Sequence, residues 1–354
     1  MADARPVLFV TNHAPPFRVG AFAALHAGED VRFALIGGDV RHGAGAGGDL
    51  PFEVLRPRQH EVFGLAASRR YRAVVAGLSG RIAPAAAWLG ARRGRVPFVL
   101  WATLWAHPHR FSFRVVRRMY RDADAIATYG PHVSAYVRAN GARGPVFEAP
   151  QAVDSEFWEA SANAPIRQSS YQAVFVGRES GEKGSAVLIQ AWRASGLRAS
   201  AAALVLVGGG RFRAPSPATG AVLSAGPQTP EEVRNWLAGS DVLVVPSIPT
   251  RDFREPWGLV VNEAFHQGVP VIASDSVGAV AGGLVQHERN GLVVPAGDAG
   301  ALARALRRLH DHGGLRARLG AQARRDVAPY TQAAWAEGIS RALAAAGVSR
   351  KALP

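Results

Sequence analysis

Two glutamates in the segment EPWGLVVNEAFHQGVPVIAS could together bind a polyhydroxylated ligand. Glu255 and Glu263 have seven residues between them, and the glycine that follows Glu255, Gly258, is predicted to open a helix that ends at Gly268. Glu255 then lies in the loop before the helix, and Glu263 lies about a turn and a half into it. Both carboxylates can therefore face one ligand. Because carboxylates accept hydrogen bonds from paired hydroxyls, one could bind a sugar and the other a ribose.

The start of the same predicted helix supplies backbone donors. The N–H groups of Gly258, Leu259 and Val260 have no acceptor within the helix, so they can bind phosphate oxygens. A purely structural interpretation stays open for the two glutamates, because acidic residues near a helix start complement the helix dipole without any ligand.

A second candidate site is the stretch GRESGEKGS, which begins at Gly177. A strand is predicted to end at Gly177 and Arg178, and the loop after it brings Lys183 to a helix that starts near Ser185. Two cations and the free N–H groups of a helix start, at the carboxyl edge of a parallel sheet, can bind a diphosphate. The alternative is a solvated surface loop, in which basic residues are common.

Two standard nucleotide-binding motifs are excluded by single residues. A P-loop would need glycine at position 182, where the chain has Glu182. The stretch GGGRFR from Gly208 has Arg213 where a dinucleotide-binding fingerprint needs glycine.

Short apolar runs alternate with alanine-rich helical stretches in both halves of the chain, which is typical of a parallel α/β sheet. The strands predicted in the first half are PVLFVTN, VRFALIGG, RAVVAG, PFVLW and AIATYG, with helices around Gly20–Ala27, Arg81–Arg93, Phe111–Arg121 and His132–Ala139. The strands predicted in the second half are AVFVGR, ALVLVGGG, VLVVPS, PVIASD and GLVVPAG, with helices near Ser185–Ser195, Pro230–Gly239, Gly258–Gln267, Asp298–His310 and Gly314–Arg324. Each half is predicted to be a doubly wound domain.

The length of 354 residues, 48% of them hydrophobic, favours two compact domains. The polar stretch between Pro150 and Ala173 shows no sustained periodicity, and it is the predicted boundary. We predict an N-terminal domain over residues 1–160, a C-terminal domain over 161–330, and a last helix over 331–354 that returns to the N-terminal domain.

The composition of the chain excludes several kinds of chemistry. The chain has no cysteine, which excludes disulfides, thiolate nucleophiles and cysteine-ligated metals. It also has no apolar run long enough to span a membrane and no secretory start, so a cytoplasmic location is expected. The net charge is +14, of which +10 belongs to residues 1–150 and +4 to the rest. This asymmetry suits nucleic acid, anionic lipid or a small anionic substrate, or reflects an arginine-rich composition alone.

Four segments in order, VGRESGEKG, SDVLVVPS, EPWGLVVNEAFHQGVPVIAS and NGLVVPAGD, resemble retaining glycosyltransferase family 4 over about residues 146–325. The segment PQAVDSEFW resembles the family's Pro-Asn-Gly-Val-Asp stretch, with Gln151 and Ala152 in place of Asn-Gly. The resemblance implies a GT-B fold, in which two Rossmann-like doubly wound domains face each other across a cleft. It also implies a retaining transfer of a hexose from a nucleotide diphosphate sugar to an acceptor hydroxyl of a glycan, glycolipid or small molecule.

The same resemblance assigns roles to residues. Glu255 would contact the donor sugar and Glu263 the ribose, and His107 would lie beside the sugar as a second catalytic residue, with His109 as its competitor. The family's Gly-Gly pair in the first loop is absent, and only Gly20 stands there. The remaining donor-binding residues would be Arg178, Lys183, Gly177, Gly258, Leu259 and Val260.

No metal and no other cofactor is expected, because two fixed cations and backbone donors can stabilise the leaving nucleoside diphosphate. The only Asp-x-Asp sequence, Asp122-Ala123-Asp124, precedes the predicted strand AIATYG instead of following a strand, so we interpret it as structural. Two other functions stay open: a nucleotide-sugar epimerase of the same fold, and a basic nucleic-acid-binding protein. The second is disfavoured because the chain has no known recognition motif, so no nucleic-acid partner is expected.

The acceptor is not identified by the sequence, and it is expected on the N-terminal domain. The segment RFSFRVVRRMYR carries five arginines with apolar residues between them, which predicts an amphipathic basic helix. One interpretation is an ordinary surface helix with a buried apolar stripe. The other is peripheral attachment to the anionic inner face of a membrane.

Overall fold

Two parallel β-sheets, one in each half of the chain, organise the protein. The computed structural model describes residues 3–37, 50–78, 80, 82–106, 110–210, 221–251 and 253–349, without the side chains of residues 110 and 111. The chain divides into two units: Met1–Asp154 with Tyr330–Pro354, and Ser155–Pro329.

The first unit contains a seven-stranded sheet of order β3-β2-β1-β4-β5-β6-β7, parallel throughout. Its strands are β1 Val7–Thr11, β2 Val31–Leu35, β3 Val54–Leu55, β4 Ala73–Gly77, β5 Phe98–Ala102, β6 Ala125–Thr128 and β7 Val146–Glu148. Its helices are α1 Pro16–Glu29, α2 Val62–Ala67, α3 Ala83–Gly94, α4 Arg110–Asp122, α5 Pro131–Ala139 and, at the end of the chain, α13 Gln332–Ala345.

The second unit contains a six-stranded parallel sheet of order β10-β9-β8-β11-β12-β13. Its strands are β8 Tyr171–Val176, β9 Ala202–Val207, β10 Ala221–Gly226, β11 Val242–Val245, β12 Val271–Ser274 and β13 Gly291–Val294. Its helices are α6 Ser155–Glu159, α7 Ser185–Ser195, α8 Pro230–Ala238, α9 Val260–His266, α10 Gly278–Ala281, α11 Ala299–Asp311 and α12 Gly313–Val327.

The central strands are buried along their whole length. Every residue of β1, β4, β5, β9, β11 and β12 is buried, as expected for strands whose two faces are both covered by helices. Apart from the last residues of β1 and β12, Thr11 and Ser274, these strands are continuous apolar runs, which explains why the sequence predicts all six.

The last helix belongs to the first unit. Helix α13 contacts α1, β6 and β7, and its Trp335 is fully buried beside Phe9 and Phe22. A Cβ atom at Gly338 would lie 2.3 Å from the carbonyl oxygen of Glu148, so only glycine allows this close packing. The chain therefore enters the second unit after Asp154 and returns at Tyr330.

The sequence did not predict three strands and several short helices. Strands β3, β7 and β10 lie at sheet edges, and their short or half-exposed sequences lack the apolar run of a central strand. Helix α1 begins at Pro16, four residues before the predicted start, because proline is well suited to the first turn of a helix. Within the described ranges, no helix is long and apolar enough to cross a membrane.

Candidate functional site

The second sheet has a topological switch point between β8 and β11. The strand order runs from β8 through β9 to β10 on one side, and from β11 through β12 to β13 on the other. In open parallel sheets of this kind, ligands bind outside the carboxyl ends of the strands at the switch point. Strand β8 ends at Val176 and β11 at Val245, so the residues that follow them lie at this point.

Lys183 and Glu255, 72 residues apart in the sequence, form an ion pair there. The Nζ atom of Lys183 donates to Oε2 of Glu255 at 2.5 Å, and the Oγ atom of Ser247 donates to the same oxygen at 3.2 Å. The Glu255 side chain is 7% exposed, whereas that of Lys183 is 25% exposed. The structure therefore brings two predicted site residues into direct contact in a partly buried setting, where a charge pair is screened less than on an open surface.

Backbone contacts fix the loop that carries Lys183. Gly184 has a φ of +72°, and a Cβ atom there would lie 2.0 Å from the carbonyl oxygen of Pro246. The Glu182 carbonyl accepts a hydrogen bond from the Ile248 N–H at 2.9 Å. The loop after β8 is thus attached to the loop after β11, which holds the lysine beside the glutamate.

Glu255 is held from a third strand end. It forms an isolated parallel bridge with Val277, and its carbonyl accepts a hydrogen bond from the N–H of Gly278 at 3.0 Å. A Cβ atom at Gly278 would lie 2.0 Å from the Pro256 carbonyl oxygen, so this contact requires glycine. The Glu255 backbone is therefore fixed by the residues that follow β12.

Arg178 lies next to the anchored end of β8. The N–H of Gly177 donates to the Val207 carbonyl at 2.9 Å, so Gly177 continues the pairing with β9. Arg178 itself is exposed, and within the described residues its guanidinium forms no hydrogen bond or ion pair. A ligand could engage this cation without first breaking a hydrogen bond or ion pair to a described residue.

Helix α9 begins later than predicted. It runs from Val260 to His266, seven residues, and Leu259 is its N-cap, whereas the sequence predicted a start at Gly258 and an end at Gly268. Gly258 instead has a φ of +87°, a turn conformation that favours glycine. In the described part of the chain, no acceptor is found for the N–H groups of Gly258, Leu259 or Val260, so all three remain candidate donors.

Glu263 is the fourth residue of α9, about one turn from its start. Its side chain forms no hydrogen bond or ion pair with any described residue. Burial raises the pKa of this carboxyl to about 7, although the residue keeps some solvent exposure. A protein carboxyl group with no partner and a raised pKa is a candidate ligand-binding group.

Three residues of the first unit were also predicted to belong to the site. His107 and His109 lie outside the described residues. Gly20 does not lie in the loop after β1, as the sequence suggested, but inside α1, where a Cβ atom would meet the side chain of Gln332. Its position is explained by packing of α1 against the last segment of the chain, and its predicted role toward phosphate stays a prediction.

Both carboxylates of the Asp-x-Asp sequence are used within the protein. Asp122 pairs with Arg92, Arg118 and Arg121 at 3.1 to 3.3 Å. Asp124 accepts a hydrogen bond from the N–H of Phe98, the first residue of β5, at 2.8 Å. Among the residues described, no three histidine, aspartate or glutamate side chains come together in a way that could hold a metal ion.

Sequence reasoning missed the residues that support Glu255. Ser247 binds the Glu255 carboxylate, and its own carbonyl accepts a hydrogen bond from the Ser274 hydroxyl. The Nε1 atom of Trp257 donates to Oδ1 of Asn262 at 2.7 Å, which ties the loop before α9 to the helix. A serine near the end of each of two predicted strands, in VLVVPS and PVIASD, was the available signal.

Part of the chain is similar to known glycosyltransferases. Residues 170–312 match the family model described as Glycosyl transferases group 1. The D-inositol 3-phosphate glycosyltransferase of Salinispora arenicola is 33% identical over 187 residues, which cover 47% of this chain and 39% of that protein. The lipopolysaccharide core biosynthesis glycosyltransferase LpsE of Rhizobium meliloti is 33% identical over 175 residues, 48% of this chain and 46% of that protein. The matches span about a fifth to just under half of the curated relatives' length.

Solved structures extend the likeness over nearly the whole chain. HepE of Anabaena in complex with UDP and glucose has a TM-score of 0.75 at 17% identity, covering 96% of this chain and 99% of that one. Sucrose-phosphate synthase of Thermosynechococcus elongatus has a TM-score of 0.71 at 20% identity, covering 95% and 98%. The chain has the GT-B fold. The predicted fold class of two Rossmann-like doubly wound domains is thereby confirmed, and the candidate site belongs to the second domain of this GT-B fold.

Proposed function

We propose that the protein is a retaining glycosyltransferase, which moves a hexose from a nucleotide diphosphate sugar to an acceptor hydroxyl without a metal ion. The observation that carries the proposal is the contact between Lys183 and Glu255 at the switch point of the second sheet. A cation for the diphosphate and a carboxylate for the sugar hydroxyls meet where α/β proteins bind their ligands.

The diphosphate would be bound by Arg178 and Lys183. Arg178 is exposed and unpaired within the described residues, so its guanidinium can form a bidentate contact with phosphate oxygens. Lys183 lies in the same loop as Arg178, and the turn at Gly184 holds it in place. The N–H groups of Gly258, Leu259 and Val260 would add neutral donors. Gly177 would let the backbone at the end of β8 approach the ligand, because it has no side chain.

The two glutamates would bind the two sugars of the donor. Glu263 has no protein partner in the described chain, and ribose hydroxyls would satisfy its carboxylate. Glu255 is held by Lys183 and Ser247 in the ligand-free protein, so its carboxylate already lies at the switch point before the donor arrives. The structure of HepE with UDP and glucose supports a donor of this class.

The reaction would break the bond between the anomeric carbon of the hexose and the diphosphate. Negative charge develops on the departing nucleoside diphosphate, and fixed cations and N–H donors aimed at it lower the barrier. Arg178 and Lys183 would supply two positive charges where other enzymes use a divalent ion. We assign His107 to the sugar side of the donor as the second catalytic residue, with Gly20 near the donor phosphates.

Binding of a nucleoside diphosphate tests this proposal most directly. We expect UDP, GDP or ADP to raise the melting temperature, and Arg178→Ala to weaken binding of that nucleotide about tenfold, because one charge-assisted contact is lost. The fold should be unaffected, since Arg178 is exposed. Thermal shift and calorimetry measure both quantities.

The matched control is Arg193→Ala, an exposed arginine on α7 that removes the same charge away from the switch point. If both variants bind the nucleotide like the wild type, the diphosphate site is misplaced. Product analysis with the donor so identified then separates transfer to an acceptor from epimerisation, in which a changed sugar appears without an acceptor.

We further propose that the acceptor is presented at an anionic membrane surface, and that the protein is cytoplasmic and binds this surface peripherally. A groove between α3 and α4 is lined by Trp88, Leu89, Arg92, Arg114, Val115 and Arg118. Leu89 is 47% exposed and Val115 is 42% exposed, between arginines on the same two helices. Exposed apolar side chains flanked by cations suit the headgroup region of an anionic bilayer.

Vesicle binding tests the membrane proposal. We expect the wild type to bind vesicles that contain phosphatidylglycerol at low salt and to release them as ionic strength rises. Changing Arg114, Arg117 and Arg118 together to Glu should abolish binding. The control variant changes three exposed arginines of the second unit, Arg193, Arg198 and Arg304, to Glu. It therefore has the same net charge as the test variant. Equal loss in both variants would mean that net charge, not this groove, determines binding.

A further inference from the structure

A pocket rich in arginine, distinct from the groove between α3 and α4, lies at one edge of the first sheet. It has a volume of about 340 Å³ and is lined by Arg5, Arg69, Tyr71, Arg72, Gly94, Arg95, Val96 and Pro97. Arg5, Arg72 and Pro97 stand just before strands β1, β4 and β5, so the pocket lies at the amino edge of the sheet. The switch point of the first sheet, between β1 and β4, is at the carboxyl edge. The pocket is therefore separate from the expected ligand edge of the first sheet.

The pocket carries an excess of positive charge. Arg5 pairs with Asp3 at 2.5 Å, and Arg72 pairs with Glu29 at 2.7 Å. Neither Arg69 nor Arg95 pairs with an acidic side chain of the described chain, and no lining residue is acidic. Four guanidinium groups therefore face only two carboxylates, which leaves two positive charges for an outside anion.

Hydrogen bonds to the backbone hold three of the guanidinium groups in place. Arg5 donates to the carbonyl of Arg69 at 2.7 Å, and Arg69 donates through Nε to the carbonyl of Gly94 at 2.9 Å. Arg72 donates to the carbonyl of Arg5 at 2.8 Å, and its buried Nε has no partner. Guanidinium groups fixed in this way lose little side-chain freedom when they bind an anion.

The backbone conformation of Arg69 and Arg95 is one that favours glycine. Both residues have left-handed backbones, with φ of +57° and +53°. Arg95 is the C-cap of α3, a position where glycine is the favoured residue. Local conformation alone would therefore select glycine at both positions, whereas the chain has arginine at both. Residues held in unfavourable backbone regions cluster at functional sites.

We propose that this pocket binds a phosphate-bearing anion, as a site distinct from that of the nucleotide sugar. The guanidinium groups of Arg69 and Arg95, neither of which pairs with an acidic side chain of the described chain, would contact the phosphate oxygens. Arg5 and Arg72 also line the pocket, but Asp3 and Glu29 balance their charges, so the attraction for an anion comes from Arg69 and Arg95. The phosphate belongs either to a soluble molecule or to a lipid headgroup, since both present the same oxygens.

The left-handed backbone allows a test that leaves the fold intact. Changing Arg69 and Arg95 together to Gly removes both cations and the hydrogen bond from Arg69 to Gly94, while it relieves both backbone conformations, so the melting temperature without anion should stay close to that of the wild type. Binding of inorganic pyrophosphate at constant ionic strength, with UDP present in excess, should weaken at least 30-fold, because two charge-assisted contacts are lost. Because the variant and the wild type differ only at Arg69 and Arg95, the difference in their pyrophosphate affinity tests this pocket whether or not UDP binds at the nucleotide-sugar site.

The control changes Arg193 and Arg304, exposed arginines of the second unit, to Gln and should bind pyrophosphate within twofold of the wild type. Vesicles containing phosphatidic acid distinguish the sources: recruitment lost in the glycine variant supports a headgroup, and pyrophosphate binding alone supports a soluble phosphate. Should the glycine variant be unstable, Asn at both positions replaces it. The proposal is overturned if the wild type binds neither probe, or if the variant binds both as tightly as the wild type.

Discussion

Glu263→Gln is expected to stabilise the ligand-free protein at pH 8 while it weakens nucleoside diphosphate binding at least tenfold. Burial raises the pKa of Glu263 from 4.5 to about 7, and no described residue pairs with its side chain. Ionisation of this carboxyl in the folded protein is therefore unfavourable. A neutral amide avoids that penalty, but it cannot accept two ribose hydroxyls as a carboxylate does.

The pH dependence has a definite sign. Below about pH 4.5 the carboxyl is protonated in both the folded and unfolded chain, so it contributes nothing. Between about pH 4.5 and 7 the unfolded chain releases the proton while the folded chain retains it, so the free energy of unfolding falls as pH rises. Above pH 7 the full penalty remains, about 3 kcal/mol at most for this change in pKa and less because Glu263 keeps some exposure.

Urea unfolding at several pH values measures this effect. The gain in stability of Glu263→Gln should be absent near pH 4 and largest above pH 7. Nucleotide affinity of the wild type, divided by that of the variant at the same pH, should rise from pH 5.5 to 7.5 and then level off. This ratio removes the ionisation of the nucleotide itself. A variant less stable than the wild type at pH 8, or a ratio independent of pH, would contradict the assignment.

The sequence predicted candidate residues for the site, but not their contacts. Arg178, Lys183 and Glu255 are recognisable because a loop after a buried strand is where α/β proteins bind ligands. That Lys183 meets Glu255 depends on β11 lying next to β8, and an alternation of strands and helices does not reveal the order of strands within the sheet. The pKa of Glu263 likewise depends on burial by elements distant in the sequence.

The elements that escaped prediction share a physical cause. Strand β10 is an edge strand, and Leu223 within it is 37% exposed, so its sequence needs no continuous apolar run. Strand β7 has three residues, and α6 has five, too few to show a period. Helix α9 was predicted two residues too long at its start, because Gly258 takes a left-handed turn there and not a helical conformation. Edges and junctions are fixed by tertiary contacts, whereas central strands are evident from composition.

The largest effects on activity are expected at Lys183 and Glu255, and the two variants should differ in a diagnostic way. Lys183→Met removes the ion pair with the buried Glu255 carboxylate, and it removes a positive charge that would stabilise the leaving group. We expect a loss of about 2–3 kcal/mol in stability and a fall in turnover of about 10²–10³-fold. Glu255→Gln leaves only the partly exposed Lys183 unpaired, so its stability cost should be about 1 kcal/mol or less.

Nucleotide affinity separates the two roles. In the ligand-free protein Lys183 is engaged by Glu255, so donor binding must compete with this ion pair. Glu255→Gln frees the lysine, and we expect free nucleoside diphosphate to bind at least as tightly as to the wild type, while turnover falls about 100-fold because the sugar loses its carboxylate. Lys183→Met should weaken nucleotide binding about tenfold or more.

The double variant completes a thermodynamic cycle. Lys183→Met with Glu255→Gln removes both charges, so it should be more stable than Lys183→Met alone, and the coupling energy measures the ion pair. Its activity should stay as low as that of the less active single variant. Stability depends on the two charges balancing each other, whereas catalysis needs the lysine for the leaving group and the glutamate for the sugar. If Glu255→Gln loses nucleotide affinity as Lys183→Met does, Glu255 contacts the nucleotide and not the transferred sugar. If the double variant is no more stable than Lys183→Met, the pair is not what holds the carboxylate in the ligand-free site.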